Sequence, residues 1–376
     1  MINRIINNSI ASDFFQGKVI VVLGPRQVGK TTLLSQLSLP KDETLWLNCD
    51  NMDDREALTD KTTSELQQLV GLKRYVVIDE AQRVRDIGLT LKMMADTFHD
   101  QVQVVVTGSS SLELANQINE PATGRIFEYR LFPLSLSELS ANTSSREENR
   151  LLEQRLIYGC YPEIATNPDQ AKRLLAAITN NYLYKDLLTY NGIRKPEVLG
   201  RLLQALAMQI GEQVSYNELS RLVGIDRATI ENYINLLEKC FVIFRLPSYS
   251  GNLRTELRNN RKIYFYDNGI RNAILSNFAP LGLRTDVGAL WENLMLSERI
   301  KHNTYQGRFA QLYFWRTQAQ AEIDFIEIED GKMSAFEFKF NPKKMPSAPK
   351  SFRDTYPQAP FEVITPNNYF SFVGLE

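Results

Sequence analysis

The sequence predicts an α/β protein built on a parallel sheet flanked by helices. Three observations carry that expectation. Short, continuous Val/Ile runs recur through the first 140 residues, helical stretches separate them, and a glycine-bounded loop follows the first run. Runs that are apolar without alternation belong to strands covered on both faces, which is the condition of a parallel sheet.

The first run, Val19–Leu23, leads into Gly24-Pro25-Arg26-Gln27-Val28-Gly29-Lys30-Thr31-Thr32 and then a helical stretch to Leu37. Strand, Gly-x4-Gly-Lys-Thr and helix in that order form a phosphate-binding loop. The glycines let main-chain N–H groups turn inward at the positive end of a helix. Lys30 is expected to reach the β- and γ-phosphates of ATP, and Thr31 to ligate Mg²⁺. A second strand is expected over Thr44–Leu47. The third, Tyr75–Ile78, ends on Asp79-Glu80, where open α/β sheets bind their ligands. Asp79 would hold Mg²⁺ through water, and Glu80 would act as general base on the attacking water. As an alternative, Glu80 is only a charge at a helix start.

The fourth run, Val102–Thr107, ends in Gly108-Ser109-Ser110-Ser111. Ser109 is the candidate to contact the γ-phosphate or its water, against a plain Ser-rich helix cap. A fifth strand, Ile126–Leu131, follows Gly124-Arg125. From about residue 145 to 212 the pattern turns helical, with the polar stretch Ser140–Asn149 as the junction, and contains Arg155, Arg173, Arg194 and Arg201, none of them distinguished by spacing.

Ser215–Leu222, the turn Val223-Gly224-Ile225-Asp226 and Arg227–Lys239 read as helix, turn, helix. Phe241–Leu246 and Lys262–Tyr266 would be wing strands. Between them lies a basic loop with Arg254, Arg258, Arg261 and Lys262. A winged helix over 213–285 implies DNA, with one helix in the major groove and the basic wing on phosphates. The competing reading is a protein-interaction module, which Glu231 and Glu238 favour.

Residues 286–376 read as helix Ala289–Lys301, then strands Leu312–Arg316, Ala321–Glu329 and Ser334–Phe340. Alternation places Glu337 and Lys339 on one strand face, with Asp324 beside them and Glu292 on the helix. Clustered carboxylates suit Mg²⁺, and Lys339 would orient a nucleophile or stabilise phosphate charge. Here the alternative is a salt-bridged sheet edge.

The strings GPRQVGKTTLL, YVVIDEAQ, VVVTGSSS and ATGRIFEYRLFPLSLSEL resemble the AAA-type ATPase domain of a widespread prokaryotic family. GCYPEI, the helix-turn-helix, and FWRTQAQAEIDFI with AFEFKF resemble that family's C-terminal DUF4143 portion. The resemblance implies an AAA-type P-loop core over 1–140, a helical lid over 141–212, the winged helix, and a restriction-endonuclease-like end. Glu292, Asp324 and Glu-x-Lys at 337–339 resemble a PD-(D/E)xK nuclease core. The resemblance also implies that Arg125 is presented as a finger to a neighbouring subunit in a homo-oligomer.

Bulk properties narrow the class. Net charge is −1, with 43% apolar and 23% charged residues, so no global pull toward nucleic acid exists and any basic surface is local. Cys49, Cys160 and Cys240 show no disulfide spacing. With two histidines, zinc or a His-based triad is not expected. No apolar run approaches the ~20 residues that span a bilayer, and Met1–Gln16 lacks a signal-peptide core. The expectation is a cytoplasmic ATPase associated with DNA. The alternatives are a nucleotide-dependent protein switch and a Mg²⁺-dependent nuclease gated by the ATPase.

Overall fold

Five strands form the first sheet: β1 (Val19–Gly24), β2 (Thr44–Asn48), β3 (Tyr75–Asp79), β4 (Gln103–Ser109) and β5 (Ile126–Arg130). Their order is β2-β3-β4-β1-β5, and every neighbouring pair is parallel. The burial follows from the order. β1 and β4 are buried at every position, whereas the edge strands β2 and β5 are only partly covered. The computed structural model describes residues 2–109, 124–183, 196–250 and 261–375. Ser110, Ser111, Arg194, Arg254 and Arg258 lie outside them.

This sheet belongs to one of two units, Met1–Phe132 with Lys239–Phe241. Its helices begin where the side chains supply caps. Asn51 accepts the Asp53 N–H ahead of the helix Met52–Leu58. Thr62 and Glu65 form a capping box ahead of Thr63–Val70. The loop helix runs Lys30–Gln36, so it starts at the lysine itself, two residues earlier than the apolar pattern suggested. Gly24 is required for a steric reason: a Cβ there would lie 2.2 Å from the Leu131 carbonyl oxygen.

The second unit is Pro133–Glu238 with Val242–Glu376. The expected junction at Ser140–Asn149 is instead helical. Leu136–Asn142 starts from a Ser135/Glu138 capping box, and Ser145–Arg150 starts from Ser144. Polarity there reflects caps and a buried ion pair, because Glu148 accepts both Nε (2.9 Å) and Nη2 (3.0 Å) of Arg155.

Further on, helices Tyr216–Val223 and Arg227–Lys239 are joined through Gly224, whose φ of 79° suits glycine. Asp226 caps the second helix by accepting the Thr229 N–H at 2.9 Å. A small antiparallel sheet accompanies them, ordered β6 (Gln213–Val214), β8 (Arg261–Phe265), β7 (Ile243–Pro247). Ile230, Ile234 and Leu237 are fully buried, as the helical spacing required. After the 19-residue helix Val287–Tyr305 come β9 (Gln311–Arg316), β10 (Glu322–Glu329) and β11 (Lys332–Phe338), antiparallel in turn. β12 (Phe361–Ile364) then adds parallel to β11. Its four residues run from the exposed Glu362 to the fully buried Ile364 at the sheet edge, and so short a run gives no readable period.

Candidate nucleotide-binding site

The phosphate-loop residues gather where β1, β3 and β4 end. Gly24 closes β1 and pairs with Ser109, the last residue of β4. Pro25 and Arg26 follow, then Gln27 and Gly29 take left-handed φ values of 62° and 91°. Those values turn the chain around Val28, which is fully buried. Lys30 and Thr31 open the helix, and Thr32 continues it. The Lys30 ammonium donates to the carbonyls of Gly24 and Pro25, each at 3.0 Å.

Thr31 Oγ1 donates to Asp79 Oδ2 at 2.8 Å, which joins the loop to the end of β3. The same carboxylate accepts from Thr107 Oγ1 through its other oxygen, and Thr107 Oγ1 also accepts the Glu80 N–H at 3.2 Å. Glu80 sits in the left-handed region, φ 55° and ψ 41°. A hydroxyl and a carboxylate in contact are hard oxygen donors of the kind Mg²⁺ takes, so Thr31 and Asp79 fit that ion. Ser109 is buried beside Gly24 and donates its N–H to Gln82 Oε1 at 3.2 Å.

Two supports were not among the residues named from the sequence. Arg4 is buried, and its guanidinium donates to the carbonyls of Val28 (2.8 Å) and Phe132 (2.7 Å). Thr107 was visible as one polar residue in an apolar strand, a signal that was there to be read. Arg125 lies elsewhere. Its carbonyl accepts the Val19 N–H at the start of β1, the sheet edge opposite the loop, and its guanidinium pairs with Asp96. Within its own chain Arg125 does not approach the loop.

The C-terminal residues form a separate cluster. Asp324 stands next to Glu337 in the register that pairs Phe325 with Phe336. Lys339 Nζ lies 2.8 Å from Glu337 and 3.6 Å from Asp324, while Asp324 Oδ2 accepts the Phe338 N–H at 2.9 Å. Glu292 is engaged from another side. Tyr264 Oη donates to it at 2.5 Å, and Lys262 Nζ lies 3.3 Å from it and 2.6 Å from Glu322.

Lys262 is therefore not a wing residue for phosphates, as the basic loop suggested. It is buried in ion pairs because three carboxylates on the adjoining elements draw it inward. Burial pulls its pKa down, but Glu292, Asp324 and Glu322 outweigh that and hold it above the ordinary lysine range. Burial pushes the Glu292 carboxyl up to about 7, against the opposing pull of Lys262. Burial and Asp324 likewise raise Glu337. The expected cation cage of Glu292, Asp324 and Glu337 is not formed. Among the described residues no group of three His, Cys, Asp or Glu side chains is set to hold a metal, and these carboxylates are instead paired with Lys262 and Lys339.

The comparisons with known proteins agree with the loop geometry. Residues 16–140 match a family model described as an AAA domain, and residues 287–370 match a domain of unknown function, DUF4143. Residues 149–281 match a second such domain, DUF8612. The chain thus carries an AAA-type P-loop ATPase-like domain followed by a DUF4143 domain.

An uncharacterized protein of Mycobacterium tuberculosis is 28% identical over 341 residues, 89% of this chain and 73% of that relative. One of Haemophilus influenzae is 25% identical, covering 67% of this chain and 68% of the relative. Among solved structures, a Walker-type ATPase of Pyrococcus abyssi is 18% identical, with a TM-score of 0.48 over 73% of this chain and 96% of that one. Among the described residues no helix is long and apolar enough to cross a membrane.

Proposed function

We propose that the chain binds ATP with Mg²⁺ at the loop Gly24–Thr32 and hydrolyses it. The observation that carries this reading is the 2.8 Å bond between Thr31 and Asp79, which brings both expected metal ligands to one point beside Lys30. In use, Lys30 leaves the Gly24 and Pro25 carbonyls for the phosphates, and the loop N–H groups and helix end hold them. Thr31 and Asp79 hold the Mg²⁺, which supplies charge neutralisation on the phosphate oxygens. Glu80 orients a water and accepts its proton, and Ser109 contacts the γ-phosphate or that water. Arg125, at the far sheet edge, serves a neighbouring subunit's phosphate in a homo-oligomer. The test is steady-state ATP turnover in wild type and Lys30→Ala. Equal turnover in both removes the reading.

Residues 213–285 act, on this proposal, as a winged helix that meets DNA, and turnover changes how it engages. The support is the capped helix pair with its small sheet and an outer face carrying Arg227 and Asn232, both exposed. ATPase rate with and without duplex DNA at low salt tests this. No stimulation and no binding would leave the protein-switch alternative. For residues 286–376, the adjacent Asp324 and Glu337 support a nuclease-like fold, while Lys262 between Glu292 and Glu322 speaks for ion-paired scaffolding over cleavage.

A further inference from the structure

One side chain at the nucleotide site has no part in the mechanism above. Gln82 lies in the single turn Ala81–Arg83 that follows β3. Its Nε2 donates to Glu80 Oε2 at 2.5 Å, and its Oε1 accepts the main-chain N–H of Ser109 at 3.2 Å. The partners dictate the orientation of the amide: an N–H can only donate and a carboxylate only accept. Glu80 is thereby fixed twice. Thr107 holds its N–H, and Gln82 ties its carboxylate to the last residue of β4, which pairs with Gly24 of the loop.

We infer that Gln82 is a positioning residue for ATP hydrolysis, locking the Glu80 carboxylate to the end of β4 so that Ser109 and the general base move together. The inference rests on the assignment of Glu80 as that base. Few side chains can replace the amide here, because the position needs one donor and one acceptor on a planar end group. Leucine supplies neither. An ionised glutamate keeps the acceptor for Ser109 but sets a second negative charge against Glu80.

The experiment compares ATP turnover, and affinity for a fluorescent ATP analogue, in wild type, Lys30→Ala, Gln82→Leu and Gln82→Glu. Gln82→Leu should lose about 10- to 100-fold in kcat, the scale seen when a group that orients a metal ligand is removed, with analogue affinity within twofold. Gln82→Glu keeps the acceptor for the Ser109 N–H but not the donor to Glu80, and should lose kcat with the same unchanged affinity, a split that a purely structural role would not produce. Wild type without turnover removes the hydrolytic reading and this inference with it. Wild-type turnover with either Gln82 variant within twofold of it overturns the inference alone. Affinity falling in step with turnover reassigns Gln82 to loop scaffolding and overturns it too. If the leucine variant does not fold, the near-isosteric glutamate variant still decides.

Discussion

Replacing Lys262 by methionine tests how the second unit is held. The Lys262 side chain is 4% exposed, and its ammonium lies 3.3 Å from Glu292 and 2.6 Å from Glu322, whose side chains are 15% and 26% exposed. Removing one partner of a buried pair costs about 3–5 kcal/mol. Tyr264 still donates to Glu292 and Arg316 still pairs with Glu322, which places the expected loss near the lower end, about 3 kcal/mol.

The pH dependence has a definite sign. Burial raises the folded pKa of Glu292 to about 7 from 4.5. A raised folded pKa means that the stability it contributes is complete below the unfolded value and is lost as pH rises through the folded one. In wild type Lys262 limits that loss by pairing with the ionised form, and in Lys262→Met only the Tyr264 hydroxyl still meets Glu292. Since the wild-type carboxyl already titrates at about 7, the difference between the two proteins should be present at pH 5, from the lost Glu322 pairing, and grow by about 1 kcal/mol by pH 8.

Urea unfolding followed by tryptophan fluorescence reads this, since Trp291, next to Glu292, is fully buried. Adding Glu292→Gln to the variant should remove the pH-dependent part of the loss. Equal losses at pH 5 and pH 8, or a pH dependence that persists in the double variant, would refute the reasoning.

Arg4→Met removes the guanidinium that donates to the Val28 and Phe132 carbonyls. It should cost about 2–4 kcal/mol from hydrogen bonds to a charged group and weaken nucleotide affinity, measured by urea melts and ATP-analogue titration. Gly24→Ala places a methyl 2.2 Å from the Leu131 carbonyl oxygen, so the backbone must shift. Nucleotide binding should fall at least tenfold, while the far-UV spectrum stays near wild type. Cys49 and Cys160 are buried, and burial pushes both thiols up to about 12. A thiol reagent at pH 8 should therefore label Cys240 alone in the native protein and all three cysteines in urea. Rapid labelling of Cys49 would contradict the packing beside Asp79.

Much of the first unit was legible in the sequence. All five strand runs lie within a residue or two of the observed strands, and the loop, Asp79 and Glu80 stand at strand ends as read. These features are local, since continuous apolar runs mark strands buried on both faces and glycine-rich spacing marks a phosphate loop. The helix pair at 216–239 was legible through Gly224 and Asp226, which act within one turn of chain. The polar stretch near 140 is helical because its serines cap helices and Glu148 is buried against Arg155, a role its composition does not reveal.

What the sequence determined by itself was therefore the elements and the residues at their ends. The tertiary structure alone decided the order β2-β3-β4-β1-β5, which sets Ser109 beside Gly24 and leaves Arg125 at the opposite edge. It alone brought Arg4 under the loop and drew Lys262 out of an apparent basic wing into a nest of carboxylates. The physical reason is distance along the chain. Strand and helix signals arise between near neighbours, whereas the partner of a buried charge is chosen by whatever the whole fold packs against it, and no local pattern records that choice.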